Sequence, residues 1–182
     1  MKDKNGIYHN KISKLILLKR LAWIICAIFL FYPFPTFIFK RWNVLILRFF
    51  GAKIGNRSVV HSSCRIQCPW NLILGNNSCI GPHCVIENDD IVELKDNATV
   101  SQYSYLCTSS HDIYHKSHEL TFSPIIIGEN AWVAAGAFVG KGVVIGTGAV
   151  IAAKSVVVKN VGEWEIVGGN PSRFIKKRII SN

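Results

Sequence analysis

Histidine and carboxylate side chains crowd one short stretch of the chain, TSSHDIYHKSHELTFSPIIIG, which runs from position 108 to position 128. The groups that could exchange protons there are His111, Asp112, His115, His118 and Glu119. Histidine titrates near neutral pH and is the usual general base for removing a proton from a hydroxyl group. The stretch is therefore a candidate catalytic loop, and the elements around it must position one of its rings.

The chain on both sides of this stretch repeats with a period of six residues. Large apolar residues stand six apart at Ile127, Val133, Val139, Ile145, Ile151 and Val157, and the same spacing runs through the earlier half. A helix has 3.6 residues per turn, so this spacing would scatter the apolar residues around its axis. In short strands, even spacings share one face, and hexads of this kind are typical of a parallel β-helix.

A second column supports this interpretation. Four positions after each large apolar residue stands a small or slender one: Ser58, Cys64, Ser78, Cys84, Ala98, Ser104, Ala131, Ala137, Val143, Ala149 and Ser155. Both columns are expected to point inward. Three hexads make one triangular turn, so the turns are predicted to begin at Ile54, Leu74, Leu94, Ile127 and Ile145.

Three departures from the repeat follow the third hexad of their turns. Two turns carry two extra residues, near Pro69-Trp70 and near Asn88-Asp89, and the third carries the histidine-rich loop. Neighbouring turns lie about 4.8 Å apart, as paired strands do. We therefore expect Trp70, the Asn88-Asp89 pair and His111 to line one edge of the prism. His111 stands where a regular strand gives way to the loop, which favours it as the base.

Composition narrows the class of protein. The 182 residues suit one domain with an appendage, and the net charge is +10 from 21 basic and 11 acidic residues. No nucleic-acid-binding motif accompanies that charge. Of the six cysteines, Cys64 and Cys84 fall in the small inward column, and Cys64 and Cys68 have poor spacing for zinc. We interpret the cysteines as packing thiols in a reducing compartment.

Residues 1–50 lack the repeat and are predicted to form a hydrophobic helical segment, followed by a repeat domain over 51–182 with a histidine loop at 107–126. Positions 21–39 carry no charge, and nineteen residues approach the length of a membrane span. Pro33 and Pro35 argue against one straight helix. Three alternatives stay open: a helix or hairpin in the membrane interface, a cover for the open end of the prism or a subunit contact, and a true span.

Several stretches resemble a known family. The segment from 127 to 178, beginning IGENAWVAAGAFVGKGVVIG and ending GGNPSRFIKKR, resembles the hexapeptide-repeat O-acetyltransferases, whose well-known members act on maltose and galactosides. FGAKIG at 50–55, CPWNLILG at 68–75 and ATVSQYSYLCTSSHD at 98–112 resemble a narrower branch, the colanic acid biosynthesis acetyltransferases. The likeness covers roughly residues 40–178.

The resemblance implies an all-β, left-handed parallel β-helix with a basic C-terminal tail, assembled as a homotrimer with its active site between subunits. It also implies transfer of an acetyl group from acetyl-CoA to a sugar hydroxyl in surface polysaccharide biosynthesis, with no metal. The family's catalytic histidine matches His111, and its acceptor-binding pair matches Asn88 and Asp89. The positions matching its CoA contacts are Trp132, Ala135, Ala153, Val158, Lys159, Arg173 and Lys176.

Other functions remain open on the sequence. An N-acetyltransferase of an amino sugar or antibiotic shares the fold, as does a non-catalytic scaffold. A zinc carbonic anhydrase would need three converging histidines, whereas His61 and His83 are expected on other parts of the prism from His111. We expect a cytoplasmic protein, associated with the inner face of the cytoplasmic membrane if its N-terminal segment binds lipid.

Overall fold

The computed structural model describes residues 13–114 and 116–180. It opens with helix α1 (Lys14–Cys26), which continues into a π-helical turn (Ala27–Phe31), and with helix α2 (Thr36–Phe49). A single 3-10 turn spans Pro69–Asn71. All remaining regular structure is β, in short strands of two to six residues.

The strands wind into a prism with three faces. Face 1 contains β1 (Lys53–Ile54), β4 (Leu72–Leu74), β7 (Val92–Leu94), β12 (Ile125–Ile127) and β15 (Val144–Ile145). Face 2 contains β2 (Val59–Val60), β5 (Cys79–Ile80), β8 (Thr99–Val100), β13 (Trp132–Val133), β16 (Val150–Ile151), β18 (Glu165–Gly169) and β19 (Ser172–Lys177). Face 3 contains β3 (Arg65–Ile66), β6 (Val85–Glu87), β9 (Tyr105–Cys107), β14 (Phe138–Val139) and β17 (Val156–Val157). A separate hairpin pairs β10 (Ser109–His111) with β11 (Leu120–Phe122).

Strand register confirms the predicted turns. Ile54 pairs with Leu74, Leu74 with Leu94, Leu94 with Ile127 and Ile127 with Ile145, all in parallel. Within the three faces, only β18 and β19 pair antiparallel among the described residues. The predicted small column lies inside the prism, with every member at most 7 % exposed. Alternating large and small inward residues therefore build one continuous apolar core.

The three departures stack on one edge, between faces 3 and 1, as predicted. The 3-10 turn lies there in the first turn, and the Asn71 amide donates hydrogen bonds to the carbonyl oxygens of Asn88 and Asp89 in the second. In the third turn, Thr108 donates to the carbonyl of Glu87 through its amide and its hydroxyl. Hydrogen bonds between turns thus hold this edge together even where the strands stop.

The helical segment covers the open N-terminal end of the prism. Trp23, Ala27, Phe31 and Leu47 are buried in the same apolar core as the strands. The Trp23 indole donates to the Ile66 carbonyl at 2.6 Å, and burial makes that bond costly to lose. Within the described residues no helix is long and apolar enough to cross a membrane. Pro35 precedes α2 and helps to divide the apolar run into two helices.

Close approach between turns gives a test of the fold. A Cβ added at Gly128 would lie 2.6 Å from the Thr147 backbone nitrogen in the next turn, whereas one at Gly140 would find its nearest atoms at 3.5 Å. We expect Gly128→Ala to lower the free energy of unfolding by about 1–3 kcal/mol, the usual cost of overpacking. Gly140→Ala, the matched control, should be neutral or slightly stabilising. Thermal unfolding that ranks the two variants equally would contradict this register.

Candidate active site

The loop that interrupts the repeat is a β-hairpin. Ser109–His111 pairs antiparallel with Leu120–Phe122, and His111 lies opposite Leu120. After the hairpin the chain rejoins face 1 in register, with Ile125 opposite Val92. The hairpin therefore projects from a rigid edge, and the position of His111 is fixed by backbone pairing.

The ring of His111 has a defined orientation. Its Nδ1 lies 2.7 Å from the backbone carbonyl oxygen of His118, across the hairpin. A carbonyl oxygen only accepts hydrogen bonds, so Nδ1 must carry a proton and donate it. In the neutral imidazole, Nε2 is then unprotonated and free to accept a proton from a ligand. The side chain is exposed, so a ligand can reach it.

Asn88 is placed on the predicted edge but faces inward. It is 0 % exposed, and its amide bridges the previous turn: Oδ1 accepts from the Cys68 amide at 2.9 Å and Nδ2 donates to the Cys68 carbonyl at 2.7 Å. Both ends of the amide are occupied by the protein. Its side chain thus holds two turns in register.

Asp89 lies at the same edge with its carboxylate beside a pocket. The carboxylate forms an ion pair with Arg20 of α1 and accepts a hydrogen bond from Gln67 at 3.4 Å. Arg20 and Gln67 both line a cavity of about 350 Å³ between α1 and face 3, which we call the α1 pocket. Its other polar or aromatic walls are Trp23, Tyr32, Arg65 and Glu87.

The α1 pocket contains polar groups without protein partners. Arg20 Nε and Gln67 Oε1 are buried and form no hydrogen bond within the described residues. Unpaired buried polar atoms are costly unless water or a ligand satisfies them. The pocket is therefore suited to a ligand with several hydrogen-bonding groups.

Two members of the predicted CoA set stack on the edge between faces 2 and 3. Ala135 and Ala153 occupy successive turns there, and the Lys154 amide donates to the Ala135 carbonyl at 2.9 Å. Small residues leave the backbone of this edge accessible. Lys154 also folds over Gly136, where an added Cβ would lie 2.9 Å from its Nζ. The sequence had not singled out Lys154, an exposed cation on this edge.

Trp132, Arg173 and Lys176 all lie on face 2. The Trp132 indole is 46 % exposed and donates to the Ser101 hydroxyl at 2.8 Å, beside a cleft of about 520 Å³ that Trp164 and Arg178 also line. Arg173 and Lys176 are exposed on β19, the last strand of the face. Face 2 thus offers an aromatic surface and, near the C terminus, free positive charge.

Val158 and Lys159 lie on a different edge from the two alanines. They follow β17 and so stand at the edge between faces 3 and 1, two turns beyond the His111 hairpin. The intervening turn contacts the hairpin directly, because the Lys141 ammonium donates to the Thr121 hydroxyl. In one subunit, the predicted CoA residues are therefore divided between the two sides of face 3.

Several neighbours of the edge were missed by sequence reasoning. Arg20 is 69 residues from its partner Asp89, and no local pattern links them. On face 3 the Tyr105 hydroxyl donates to the Glu87 carboxylate. Burial, with that carboxylate beside it, raises the pKa of Tyr105, so the phenol remains a hydrogen-bond donor. His115, another member of the loop, lies outside the described residues.

The other histidines stand on another edge. His61 Nδ1 lies 2.8 Å from the Ser63 hydroxyl, and His83 stacks on Tyr103 with ring centroids 5.1 Å apart. Both occupy the edge between faces 2 and 3, away from His111, as the repeat predicts. Across residues 13–114 and 116–180, no three His, Cys, Asp or Glu side chains form a group that could hold a metal ion.

Comparison with known proteins gives this geometry its context. The family described as "Bacterial transferase hexapeptide (six repeats)" matches residues 124–159. The WcaF protein of Escherichia coli K12, named as a colanic acid biosynthesis acetyltransferase, is 37 % identical over 142 residues, which cover 78 % of each chain. The chain belongs to the hexapeptide-repeat acetyltransferase family. That membership confirms the predicted family and the prediction of an acyltransferase.

Solved structures agree on the fold. A maltose O-acetyltransferase from Clostridium difficile 630 superposes with a TM-score of 0.83 at 26 % identity, covering 92 % of this chain and 90 % of that one. A galactoside acetyltransferase in complex with coenzyme A gives 0.82 at 23 % identity, covering 92 % and 84 %. The predicted left-handed parallel β-helix is thereby confirmed.

The structural role of Asn88 can be tested. Asn88→Ala removes both hydrogen bonds and leaves the buried amide of Cys68 without a partner, whereas the Cys68 carbonyl still accepts from the Asn71 amide at 3.0 Å. We expect the free energy of unfolding to fall by about 1–3 kcal/mol. Asn56→Ala, at an exposed position, is the matched control and should change it by less than about 0.5 kcal/mol. If Asn88→Ala melts with wild-type stability in thermal denaturation, the amide does not hold these turns.

Proposed function

We propose that this protein is an acetyl-CoA-dependent O-acetyltransferase that modifies a sugar hydroxyl during surface polysaccharide biosynthesis. The observation that carries the proposal is the hydrogen bond from His111 Nδ1 to the His118 carbonyl, which leaves Nε2 as an exposed base. The choice of reaction is supported by the similar solved structures, which include a maltose O-acetyltransferase and a galactoside acetyltransferase.

The chemistry follows from that tautomer. Nε2 of His111 accepts the proton of the acceptor hydroxyl while the hydroxyl oxygen bonds to the thioester carbonyl carbon. The carbon–sulfur bond then breaks, and the CoA sulfur takes the proton from the imidazolium. His118 contributes its backbone carbonyl, which holds the ring and stabilises the positive charge that forms on it. Its imidazole is not required for this step.

The α1 pocket supports a saccharide acceptor. At about 350 Å³ it has room for a sugar ring, and it combines aromatic walls with charged and amide groups. Arg20 Nε and Gln67 Oε1 offer one donor and one acceptor without partners in the protein. We propose that Asp89, held by Arg20, borders this acceptor site, whereas Asn88 only supports its backbone.

The predicted CoA-binding residues are divided between the two edges of face 3, and this division supports a homotrimer. The two edges of face 3 are one hexad apart, on the order of 15–20 Å of strand. One subunit cannot bring Ala135 and Ala153 to His111. A neighbouring copy that presents its edge between faces 2 and 3 would do so, and closed cyclic symmetry would repeat the site at each contact. We therefore propose that each active site forms between two subunits of a trimer.

Substitution of the histidines tests the base. His111→Ala should lower kcat by about 10²–10⁴, the usual contribution of general-base catalysis, with little change in the KM for acetyl-CoA. His118→Ala is the matched control, because the backbone carbonyl that orients His111 remains. The measurement is acetyl transfer to a panel of saccharides and matched amino sugars. A His111→Ala enzyme that keeps more than about a tenth of wild-type kcat would assign the base elsewhere.

Substitutions in β19 test whether this strand binds the phosphate groups of acetyl-CoA. Removing both cations in Arg173→Ala/Lys176→Ala should raise the KM for acetyl-CoA at least about tenfold, because phosphate contacts far from the thioester bind ground and transition states alike. Lys177→Ala is the control, since its ammonium is already held by Glu165 at 3.3 Å and by the Glu163 carbonyl at 3.1 Å. A fall in kcat at unchanged KM would contradict phosphate binding by this strand.

A further inference from the structure

The N-terminal helices leave a large apolar surface exposed. On α1 and the turn that follows it, Leu18, Leu21, Ile25 and Phe29 are 52–69 % exposed. On α2, Phe37 and Phe49 are 84 % and 83 % exposed. We call these six side chains the docking face. Large apolar side chains exposed in such number on two neighbouring helices indicate an interaction site.

Helical geometry sets this face opposite the core. On α1, residues 18, 21, 25 and 29 recur at spacings of three and four, and Trp23 and Ala27 point the other way into the prism. The charged residues of α1 are Lys14, Lys19 and Arg20, and from Leu21 to Cys26 every side of the helix is apolar, although covering the prism uses only one stripe. A soluble helix normally presents polar residues on its outer side.

The segment of the chain that forms this part of the molecule carries only positive charge. Between position 4 and position 86 the sequence has no Asp or Glu, and residues 13–86 carry nine Lys and Arg. This segment includes both helices and the first turn of the prism. Its partner must therefore be anionic as well as apolar. A second copy of this chain would bring the same positive charge, which disfavours self-association through this face.

A basic cleft lies beside the docking face. Lys40, Arg41, Arg48 and Arg57 line a cavity of about 440 Å³ between α2 and the first turn, and we call it the α2 cleft. Arg48 donates to the Ile54 carbonyl. In the part of the chain that the structure describes, Lys40, Arg41 and Arg57 form no ion pair. Converging cations without counterions are suited to phosphate groups.

We infer that the docking face and the α2 cleft bind the surface of an anionic lipid bilayer. The apolar side chains enter the interface between headgroups and acyl chains, while the cations of the cleft contact lipid phosphates. Apolar insertion together with electrostatic attraction is the physical basis of interfacial helix binding. The protein lies on the membrane and does not cross it.

This orientation has a consequence for the acceptor that rests on the proposed function. α1 also walls the α1 pocket, through Arg20, Trp23 and Ile24. A helix in the bilayer interface brings that pocket close to the headgroups, where a saccharide attached to a lipid would lie. The acceptor class is then a lipid-linked saccharide. The docking itself needs neither acetyl-CoA nor an acceptor.

Vesicle binding tests the docking without any catalytic measurement. Full-length protein is sedimented with vesicles of equimolar phosphatidylcholine and phosphatidylglycerol, and with vesicles of phosphatidylcholine alone. We expect binding to the anionic vesicles that weakens as salt is raised. Phe37→Gln/Phe49→Gln should reduce it at least about tenfold, because even partial burial of two Phe side chains contributes more than about 1.4 kcal/mol. Lys40→Gln/Arg41→Gln should reduce it and flatten its salt dependence.

Matched control variants show whether vesicle binding depends on this surface or on the overall charge and hydrophobicity of the chain. Ile113→Gln/Ile179→Gln changes two apolar side chains that are 72 % and 89 % exposed and lie outside the docking face. Lys116→Gln/Lys154→Gln removes the same charge from exposed positions elsewhere. Both controls should bind vesicles like the wild type. The inference would be overturned if the controls lost binding as strongly as the docking-face and α2-cleft variants, or if the wild type stayed in the supernatant.

Light scattering distinguishes a membrane-binding surface from a contact between subunits. If Phe37→Gln/Phe49→Gln changes the oligomeric state, the docking face is a protein interface and the bilayer assignment is wrong. An unchanged oligomeric state with lost vesicle binding supports the assignment. Neither result depends on activity, so failure of the docking and failure of the proposed reaction can be told apart.

Discussion

Parallel hydrogen bonding between successive turns is the constraint on which the rest of this structure depends. Each short strand has its partners in the turns before and after it, so residue Ile54 is fixed by Leu74, which is fixed by Leu94. Strands of two residues could not be stable alone. Stacking turns them into three continuous sheets, and the inward columns can then fill the interior without a gap.

The same constraint decides where a site can be built. An insertion within a face would break both neighbouring ladders, whereas one at an edge leaves them intact if the chain returns in register. The hairpin does so: Leu106 still pairs with Ile86 before it, and Ile127 with Leu94 after it. In the preceding turns the same edge is held together by hydrogen bonds between turns, such as those from the Asn88 side chain to the Cys68 backbone. A rigid edge that carries a paired hairpin is what a positioned base requires.

The regular turns of the prism could be predicted from the sequence, whereas the details of the edge and its hairpin could not. The turns and their inward columns were predictable because their spacing is periodic, and the edge bearing His111 was predictable because three departures fall at equivalent places. The hairpin was not, because SSH and LTF carry no apolar alternation. Asn88 and Asp89 are adjacent and equally polar, and only burial separates their roles. Arg20 meets Asp89 across 69 residues, a contact created by the docking of α1 and absent from any local pattern.

The two ends of the prism differ in a way that end-capping alone does not explain. A ladder of strands must be covered at each end, and a cap is expected to be apolar inside and polar outside. The C-terminal strand β19 fits this expectation through its exposed Arg173, Lys176 and Lys177, although Phe174 and Ile175 of the same strand are also 57 % and 55 % exposed. The N-terminal helices have the buried stripe that a cap needs, yet their outer surface carries Phe37 and Phe49 beside uncompensated cations. Exposed aromatic side chains cost solubility and add nothing to the cover. Their retention beside a positive cleft is accounted for when the outer surface has its own partner, and an anionic bilayer satisfies both the apolar and the charged part of it.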